Sequence, residues 1–249
     1  MAIASTYPRL NFRADDLFFS AMAAVALVVV LVGFARSYFL AGLFWATLPN
    51  LLVHIHAAVF TSWIALLITQ VSLVTAGRVD LHRRLGQLGF ALAGLMIVLG
   101  VLTASDRLVR DSAHPGADGM EGVFDLCAVS IGGMLMFCTF AWLGYRNRFR
   151  PAVHKRLMLF ATFSLLDAGF DRWPVFDPYP LWLVNLICFV PLVLLMMAYD
   201  GWSTGRVQRV TLWSTLFLLT AQQSRHLVSQ TAAWHGFAGW VQFHMPSLS

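Results

Sequence analysis

Seven ionisable side chains lie inside long apolar stretches of this 249-residue chain, where a charge is costly unless it is paired or binds a ligand. Imidazole and carboxylate groups bind metal ions, and two imidazoles can hold a haem iron from its two faces. The residue types therefore predict a cofactor site or a network of buried ion pairs. The seven residues are His54, His56, Asp125, Asp167, Asp171, Arg225 and His226.

Helix geometry limits which of these side chains can act together. His54 and His56 are two residues apart, or about 200° around a regular helix, so we expect only one of them to face a given centre. Either imidazole could pair with His226 as the axial ligands of a b-type haem, with Arg225 neutralising a propionate. The candidate ligands of a bare metal ion are His54, His56, Asp125, Asp167, Asp171 and His226.

A structural role explains the same residue types. Asp167 and Asp171 are spaced i, i+4 on one helix face and could pair with Arg225. The histidines would then donate hydrogen bonds to carbonyls or to hydroxyls such as that of Thr61 or Ser62. The residues leave the cofactor site and the ion-pair network open as alternatives.

Two further histidines, His82 and His154, occur in a repeated motif. Residues 78–85 read R-V-D-L-H-R-R-L and residues 150–157 read R-P-A-V-H-K-R-L, and a weaker third copy begins at Gly205. Each histidine begins a helix beside basic residues, at the level of lipid headgroups. We expect the pair either to bind an anionic group such as a cofactor propionate or to be satisfied by headgroups and backbone.

The bilayer is the expected solvent for the elements that carry these residues. Hydrophobic residues make up 59% of the chain and charged residues 12%, a composition unlike that of a water-soluble globule. The sequence predicts an all-α, single-domain membrane protein with one first helix followed by three helical hairpins at 50–104, 123–173 and 180–232. The seven predicted spans are 17–35, 50–75, 85–104, 123–145, 156–173, 180–199 and 210–232.

The distribution of basic residues predicts the orientation. Twelve of the seventeen lysines and arginines flank one side of the predicted spans, among them Arg9 and Arg13. By the positive-inside rule the N-terminus is cytoplasmic and the C-terminus periplasmic, in a bacterial inner membrane. The net charge of +5 is then explained by orientation, and no nucleic-acid partner is expected. Expected partners are the lipid bilayer and a membrane protein or a second copy of the chain.

Three motifs resemble those of a family of uncharacterised bacterial multi-pass membrane proteins. They are V-H-I-H-A-A-V-F-T-S-W at 53–63, D-L-H-R-R-L-G at 80–86 and H-K-R-L-M at 154–158. The chain is also distantly similar to the helical bundles of ascorbate-reducible b-type cytochromes and ferric reductases, which implies b-type haem. His54 and His82 are 28 residues apart, roughly 42 Å along a helix, so the sequence departs from the two-haem pattern of those proteins.

Three classes of function fit these observations, and the sequence does not decide whether the protein is an enzyme. The first is a redox or electron-transfer protein with a haem, pigment or metal cofactor in the outer half of the membrane. The second is a non-catalytic accessory subunit or a carrier of a lipid or another small molecule. The third is an intramembrane metal-dependent hydrolase, although His226 and His235 are nine residues apart rather than four.

Overall fold

The computed structural model describes residues 12–46, 50–116 and 118–245, and over these residues it is all-helical. Arg9 therefore lies outside the described residues. Short π-helical and 3₁₀ turns at Ala35–Phe39 and Ala41–Leu43 follow the first helix. The helices are α1 (Phe12–Phe34), α2 (Leu51–Thr75), α3 (Val79–Ala113), α4 (Gly119–Arg146), α5 (Pro151–Phe163), α6 (Asp167–Phe170), α7 (Leu181–Thr204), α8 (Arg209–Ser229) and α9 (Ala232–His244).

Five segments of the described chain are long and apolar enough to cross a membrane. Their lengths and compositions confirm the coarse prediction of an all-helical membrane protein. The seven-span count and the orientation of the termini stay predictions. The five segments are Ala14–Phe39, Leu51–Thr75, Val79–Ala113, Gly119–Arg146 and Leu181–Thr204.

The predicted span 156–173 is divided. Helix α5 ends at Phe163, and the short helix α6 begins at Asp167. The Ser164 hydroxyl donates to the Ala161 carbonyl over 2.8 Å, and the Asp167 carboxylate accepts from the Ala168 amide over 2.8 Å. Such side-chain bonds to the nearby backbone compete with regular helix, which explains the interruption.

Two other elements differ from the sequence prediction. Helix α3 continues to Ala113, nine residues beyond the end of the predicted span 85–104. Paired charges spaced i, i+4, Arg107 with Asp111 and Arg110 with Asp106, support the extra turns. Helix α9 was not predicted, and it packs against α3 and α4, with the indole of Trp234 donating to the Phe124 carbonyl over 3.0 Å.

Sequential helices pack as hairpins around one main core. Helices α2 with α3, α4 with α5, and α7 with α8 are in contact, and α8 also packs against α4 and α5. Helix α1 joins the bundle through α2 and α6. At its contact with α6, a Cβ placed on Gly33 would lie 2.2 Å from the Gly169 carbonyl oxygen, so only glycine allows this approach. The largest fully buried aromatic side chains are Phe137, Phe140, Phe160, Phe163 and Phe189.

Candidate functional site

The turns that join α2 to α3, α4 to α5 and α7 to α8 lie at one end of the bundle, which we call the basic end. Two of these turns share a conformation: Gly77 and Gly205 have φ values of 72° and 71°, in the left-handed region that favours glycine. Each of these glycines is followed by arginine and valine. The weak third copy of the repeat therefore reproduces the turn of the first copy, although it carries no histidine.

A cavity of about 410 Å³ opens at the basic end, which is within the usual range for a small-molecule site. We call it the basic-end cavity. Its walls come from the first turns of α1, α3 and α5, the second half of α2 and the end of α4. Apolar side chains such as Trp63, Leu66 and Met158 form most of its lining, and His82 and His154 border it. A ligand in this cavity would therefore meet a mainly apolar wall and two imidazoles.

His82 and His154 face each other across the start of α3 and α5. Their ring centroids are 6.3 Å apart and their ring planes are almost perpendicular, at 83°. Nδ1 of His154 lies 2.9 Å from the Gly144 carbonyl on the preceding helix. The His82 ring lies beside the backbone of Gln70, also on its preceding helix, and its Nδ1 is buried without a hydrogen-bond partner among the described residues. The two copies of the repeat thus present equivalent imidazoles to one cavity.

The charge state of His154 follows from its surroundings. Burial lowers the pKa of His154, and this effect outweighs the hydrogen bond to the Gly144 carbonyl, which raises it. A neutral imidazole bonded through Nδ1 to a carbonyl carries its proton there and leaves Nε2 as a lone-pair donor. His154 is therefore suited to bind a metal through Nε2.

An ion pair borders the same cavity. The ammonium group of Lys155 donates to Asp15 on α1, and the Tyr199 hydroxyl donates to the other oxygen of Asp15 over 2.8 Å. The Lys155 ammonium also lies 4.6 Å from the centre of the Phe19 ring. These contacts attach the first turns of α1 to α5 and α7 and close one side of the cavity.

Four of the seven residues singled out in the sequence lie together at the opposite end, on α4, α6 and α8. We call Asp125, Asp167, Arg225 and His226 the ion-pair layer. Arg225 is 5% exposed and donates to Asp167 over 2.7 Å, to the Val129 carbonyl over 2.8 Å and to the Gln222 side chain. The guanidinium is therefore fully engaged within the protein.

His226 and Asp125 form a second pair in this layer. Nδ1 of His226 lies 3.0 Å from both carboxylate oxygens of Asp125, and the Ser229 hydroxyl donates to Asp125 over 2.7 Å. Nε2 of His226 is buried without a partner in the described part of the chain. The carboxylate orients the imidazole as it would orient a metal ligand, but the pair also satisfies itself.

The side chains of His54, His56 and Asp171 form no hydrogen bond with the side chains of the ion-pair layer in the described residues. Nδ1 of His54 lies 2.9 Å from the Tyr38 hydroxyl, and His56 stacks on Phe60 with ring centroids 3.9 Å apart. One oxygen of Asp171 is buried without a partner within residues 118–245. Helix α2, which carries both histidines, packs against α1 and α3, whereas α8 packs against α4, α5 and α7. No contact between α2 and α8 therefore supports the predicted pairing of His54 or His56 with His226.

The six candidate metal ligands do not form one metal site in the described part of the chain. Among the described residues, no group of three or more His, Cys, Asp or Glu side chains is arranged to hold a metal ion. The six metal ligands suggested by the sequence are divided between separate hydrogen-bonded pairs and single side chains. The sequence predicts a similar depth in the membrane for these residues. It does not predict which of their helices are neighbours.

Comparison with known proteins gives no family to rely on. No family model matches the chain, and neither the curated proteins nor the solved structures give a significant match. The resemblances to the uncharacterised membrane-protein family and to b-type cytochromes therefore stay expectations from the sequence.

Sequence reasoning missed a second buried ion pair, between Arg156 on α5 and Asp200 on α7. Both side chains are almost fully buried, and Thr211 and the Gln208 amide also donate to Asp200. A usable signal was present, because Asp200 follows a long apolar run and Arg156 begins another. The pair joins α5, α7 and α8 and so helps to position the start of α5, where His154 lies.

Proposed function

We propose that this chain is a bacterial inner-membrane protein that binds a b-type haem in the basic-end cavity, with His82 and His154 as axial ligands, and that it acts in electron transfer. The proposal includes seven spans and a cytoplasmic N-terminus, which would place this haem at the cytoplasmic side. The observation that carries it is the pair of imidazoles 6.3 Å apart at a cavity of about 410 Å³.

The spacing of the two rings supports axial ligation. The ring centroids are 6.3 Å apart, close enough for His82 and His154 to hold one haem iron between them. When bound, a b-type haem supplies one-electron transfer at its iron.

The protein groups around the pair have defined roles under this proposal. The Gly144 carbonyl accepts a hydrogen bond from the Nδ1–H group of His154 and thereby fixes the tautomer and orientation of the ring. The exposed guanidinium of Arg83, which lines the cavity and has no recorded carboxylate partner in the described chain, would bind a propionate. Apolar side chains such as Trp63 and Leu66 would cover the macrocycle and exclude water.

The proposal moves the cofactor from the place suggested by the sequence. The sequence favoured the outer half of the membrane, with His226 and one histidine of α2 as ligands. Those groups are engaged with Asp125, Tyr38 and Phe60. The paired imidazoles at the basic end have both the spacing and the space that a ligand needs.

An absorption spectrum of the detergent-purified protein, expressed with haem precursor, tests the proposal. The wild type is expected to show the Soret and α bands of a low-spin haem with two histidine ligands, at one haem per chain. Replacement of His82 or His154 by alanine should lower the haem content at least tenfold or convert the spectrum to a high-spin form.

The matched controls are H226A and H54A, which remove the ligands that the sequence suggested. Both should keep the low-spin spectrum. A wild-type protein without haem bands after haem supply would contradict the proposal, as would a haem that survives in the double variant H82A/H154A.

A second candidate is a carrier or accessory subunit that binds an amphiphile with an anionic head. It is favoured by the mainly apolar lining of the cavity and by Arg83 and Lys155 at its border. A protein that lacks haem but binds a fatty acid, with binding lost in R83Q and kept in R206Q, would support this candidate instead.

A further inference from the structure

A second basic feature lies at the end of α4, beside the basic-end cavity. Arg146, Arg148 and Arg150 occur within five residues, all three are exposed, and none forms a recorded salt bridge in the described residues. Three uncompensated charges this close together repel one another. Such a group is stabilised by an anionic partner.

Aromatic rings hold two of these guanidinium groups in place. The guanidinium of Arg148 lies 4.3 Å from the centre of the Tyr145 ring and 4.5 Å from that of Phe149, and the guanidinium of Arg146 lies 5.8 Å from the centre of the Trp142 ring. A guanidinium stacked on a ring keeps N–H groups at its edge for a phosphate. The pair of arginines is therefore partly organised for an anion before any ligand binds.

The aromatic residues of this group are unusually open. Trp142, in the last turns of α4, is 55% exposed, and Phe149, in the turn that follows α4, is 75% exposed. Tryptophan and tyrosine near a helix end are typical of the level where lipid headgroups meet acyl chains. The exposed side chains thus indicate a lipid-facing surface rather than one covered by the rest of this chain.

An apolar strip continues from this group along α4. Leu135, which is 64% exposed, is seven residues before Trp142, and Arg146 is four residues after Trp142. Residues spaced by four and seven share one helix face. A molecule with a phosphate near Arg146 could therefore lay an acyl chain along Trp142 and Leu135.

We propose that this surface binds the headgroup of an anionic phospholipid, with one acyl chain along the exposed face of α4. We call it the arginine–aromatic patch and define it by Trp142, Tyr145, Arg146, Arg148 and Phe149. The phosphate accepts hydrogen bonds from the two stacked guanidinium groups, and the rings contact the glycerol and the upper acyl chain. The patch adjoins the basic-end cavity, which Tyr145, Arg148 and Phe149 also line, but none of its residues is assigned to the iron or to a propionate.

Thermal unfolding of the full chain with added phosphatidylglycerol or phosphatidylcholine of the same acyl chains tests the patch. Phosphatidylglycerol is expected to raise the Tm of the wild type by several degrees more than phosphatidylcholine does. The double variant R146Q/R148Q should lose this difference, while its Tm in phosphatidylcholine stays close to that of the wild type.

The matched control is R206Q/R209Q, which removes two exposed arginines from another basic turn that makes no recorded ring contact in the described residues. It should keep the preference for phosphatidylglycerol. Equal loss in both double variants would overturn the proposal, because it would indicate a general response to positive charge. A wild type that responds equally to both lipids, or that responds equally to inorganic phosphate, would also overturn it.

A further variant, Trp142→Leu, tests the patch even if the double variant R146Q/R148Q misfolds. Trp142→Leu keeps every charge and an apolar side chain but removes the ring under Arg146. We expect it to lose about half of the lipid-specific shift in Tm, whereas Trp213→Leu, an exposed tryptophan on α8, should keep the full shift. Equal behaviour of these two variants would count against the patch.

Discussion

At the basic end, His82 and His154 border a cavity, and the Nδ1 atom of His82 is buried without a partner in the described chain. At the opposite end, Arg225 donates to three groups of the protein, and a glycine-lined surface of α4 encloses its side chain. Both regions place ionisable residues in an apolar bundle. At the basic end the two imidazoles border open space, whereas in the ion-pair layer the charged groups join helices. Buried charge alone therefore does not distinguish a candidate binding site from a structural pair; open space beside the group does.

The largest loss of stability is expected when Arg225, the cation of the ion-pair layer, is replaced by an uncharged residue. Arg225→Met leaves the buried Asp167 carboxylate unpaired and should lower the free energy of unfolding by about 3–5 kcal/mol. Chemical or thermal unfolding in detergent would measure it. Arg209→Met, an exposed arginine on the same helix, is the control and should change stability by less than about 0.5 kcal/mol. Equal losses would remove the distinction between the two regions.

Crowding of the same arginine should have the next largest effect. A Cβ on Gly132 would lie 2.4 Å from Cδ of Arg225, whose guanidinium is fixed by its hydrogen bonds. Gly132→Ala should therefore cost about 1–3 kcal/mol. Gly94→Ala on α3, where nothing lies within 4 Å of the new atom, should be neutral or slightly stabilising. A Gly132 variant as stable as the Gly94 variant would argue that Arg225 is loosely held.

Histidines at the two ends should respond differently to replacement by leucine. His226→Leu removes a partner of Asp125 and should lower stability by about 1–3 kcal/mol. His82→Leu removes an imidazole whose Nδ1 has no partner in the described residues, so it should lower stability by less than His226→Leu does, and under the haem proposal it should abolish haem binding. Paired measurements of unfolding and of bound haem check both. A His82 variant destabilised as much as the His226 variant would show that this ring has a structural role.

The smallest effect is a dependence on pH through His154. Because burial lowers the pKa of this imidazole below its ordinary value of about 6.5, the folded protein binds a proton there less readily than the unfolded chain. The stabilising contribution is present above the ordinary pKa and is lost as the pH falls through that value towards the lowered one. Thermal unfolding between about pH 8 and pH 5 should show a smaller loss of Tm in His154→Gln than in the wild type. Parallel curves for the two proteins would contradict this.

The helical fold could be read from the sequence because apolar length alone determines most of it. Five predicted spans correspond to helices of suitable length and composition. The interruption after Phe163 was not predicted, because the apolar pattern continues through Ser164 and Asp167, whose side chains bond to the nearby backbone in the structure. The extension of α3 was not predicted either, because the charged residues near Asp106 read as a loop until their i, i+4 pairing is considered.

The sequence identified the histidines of the candidate site but not which of them lie close together. Repetition of the motif around His82 and His154 identified two equivalent imidazoles, and the structure places them opposite each other. The prediction favoured His54, His56 and His226, because depth in the membrane can be inferred from position along a predicted span. Which helices are neighbours depends on packing across the bundle, and that information is not local in the chain.

The contact between Gly33 and Gly169 has a consequence for the order of assembly during synthesis. The two glycines are 136 residues apart in the sequence, and their helices meet backbone to backbone. At about 5–20 residues per second, the ribosome needs roughly 7–27 s to progress from one to the other. Throughout that interval the Gly33 face of α1 must remain against lipid or against the insertion machinery. The contact between α1 and α6 therefore forms well after α1 itself has been made.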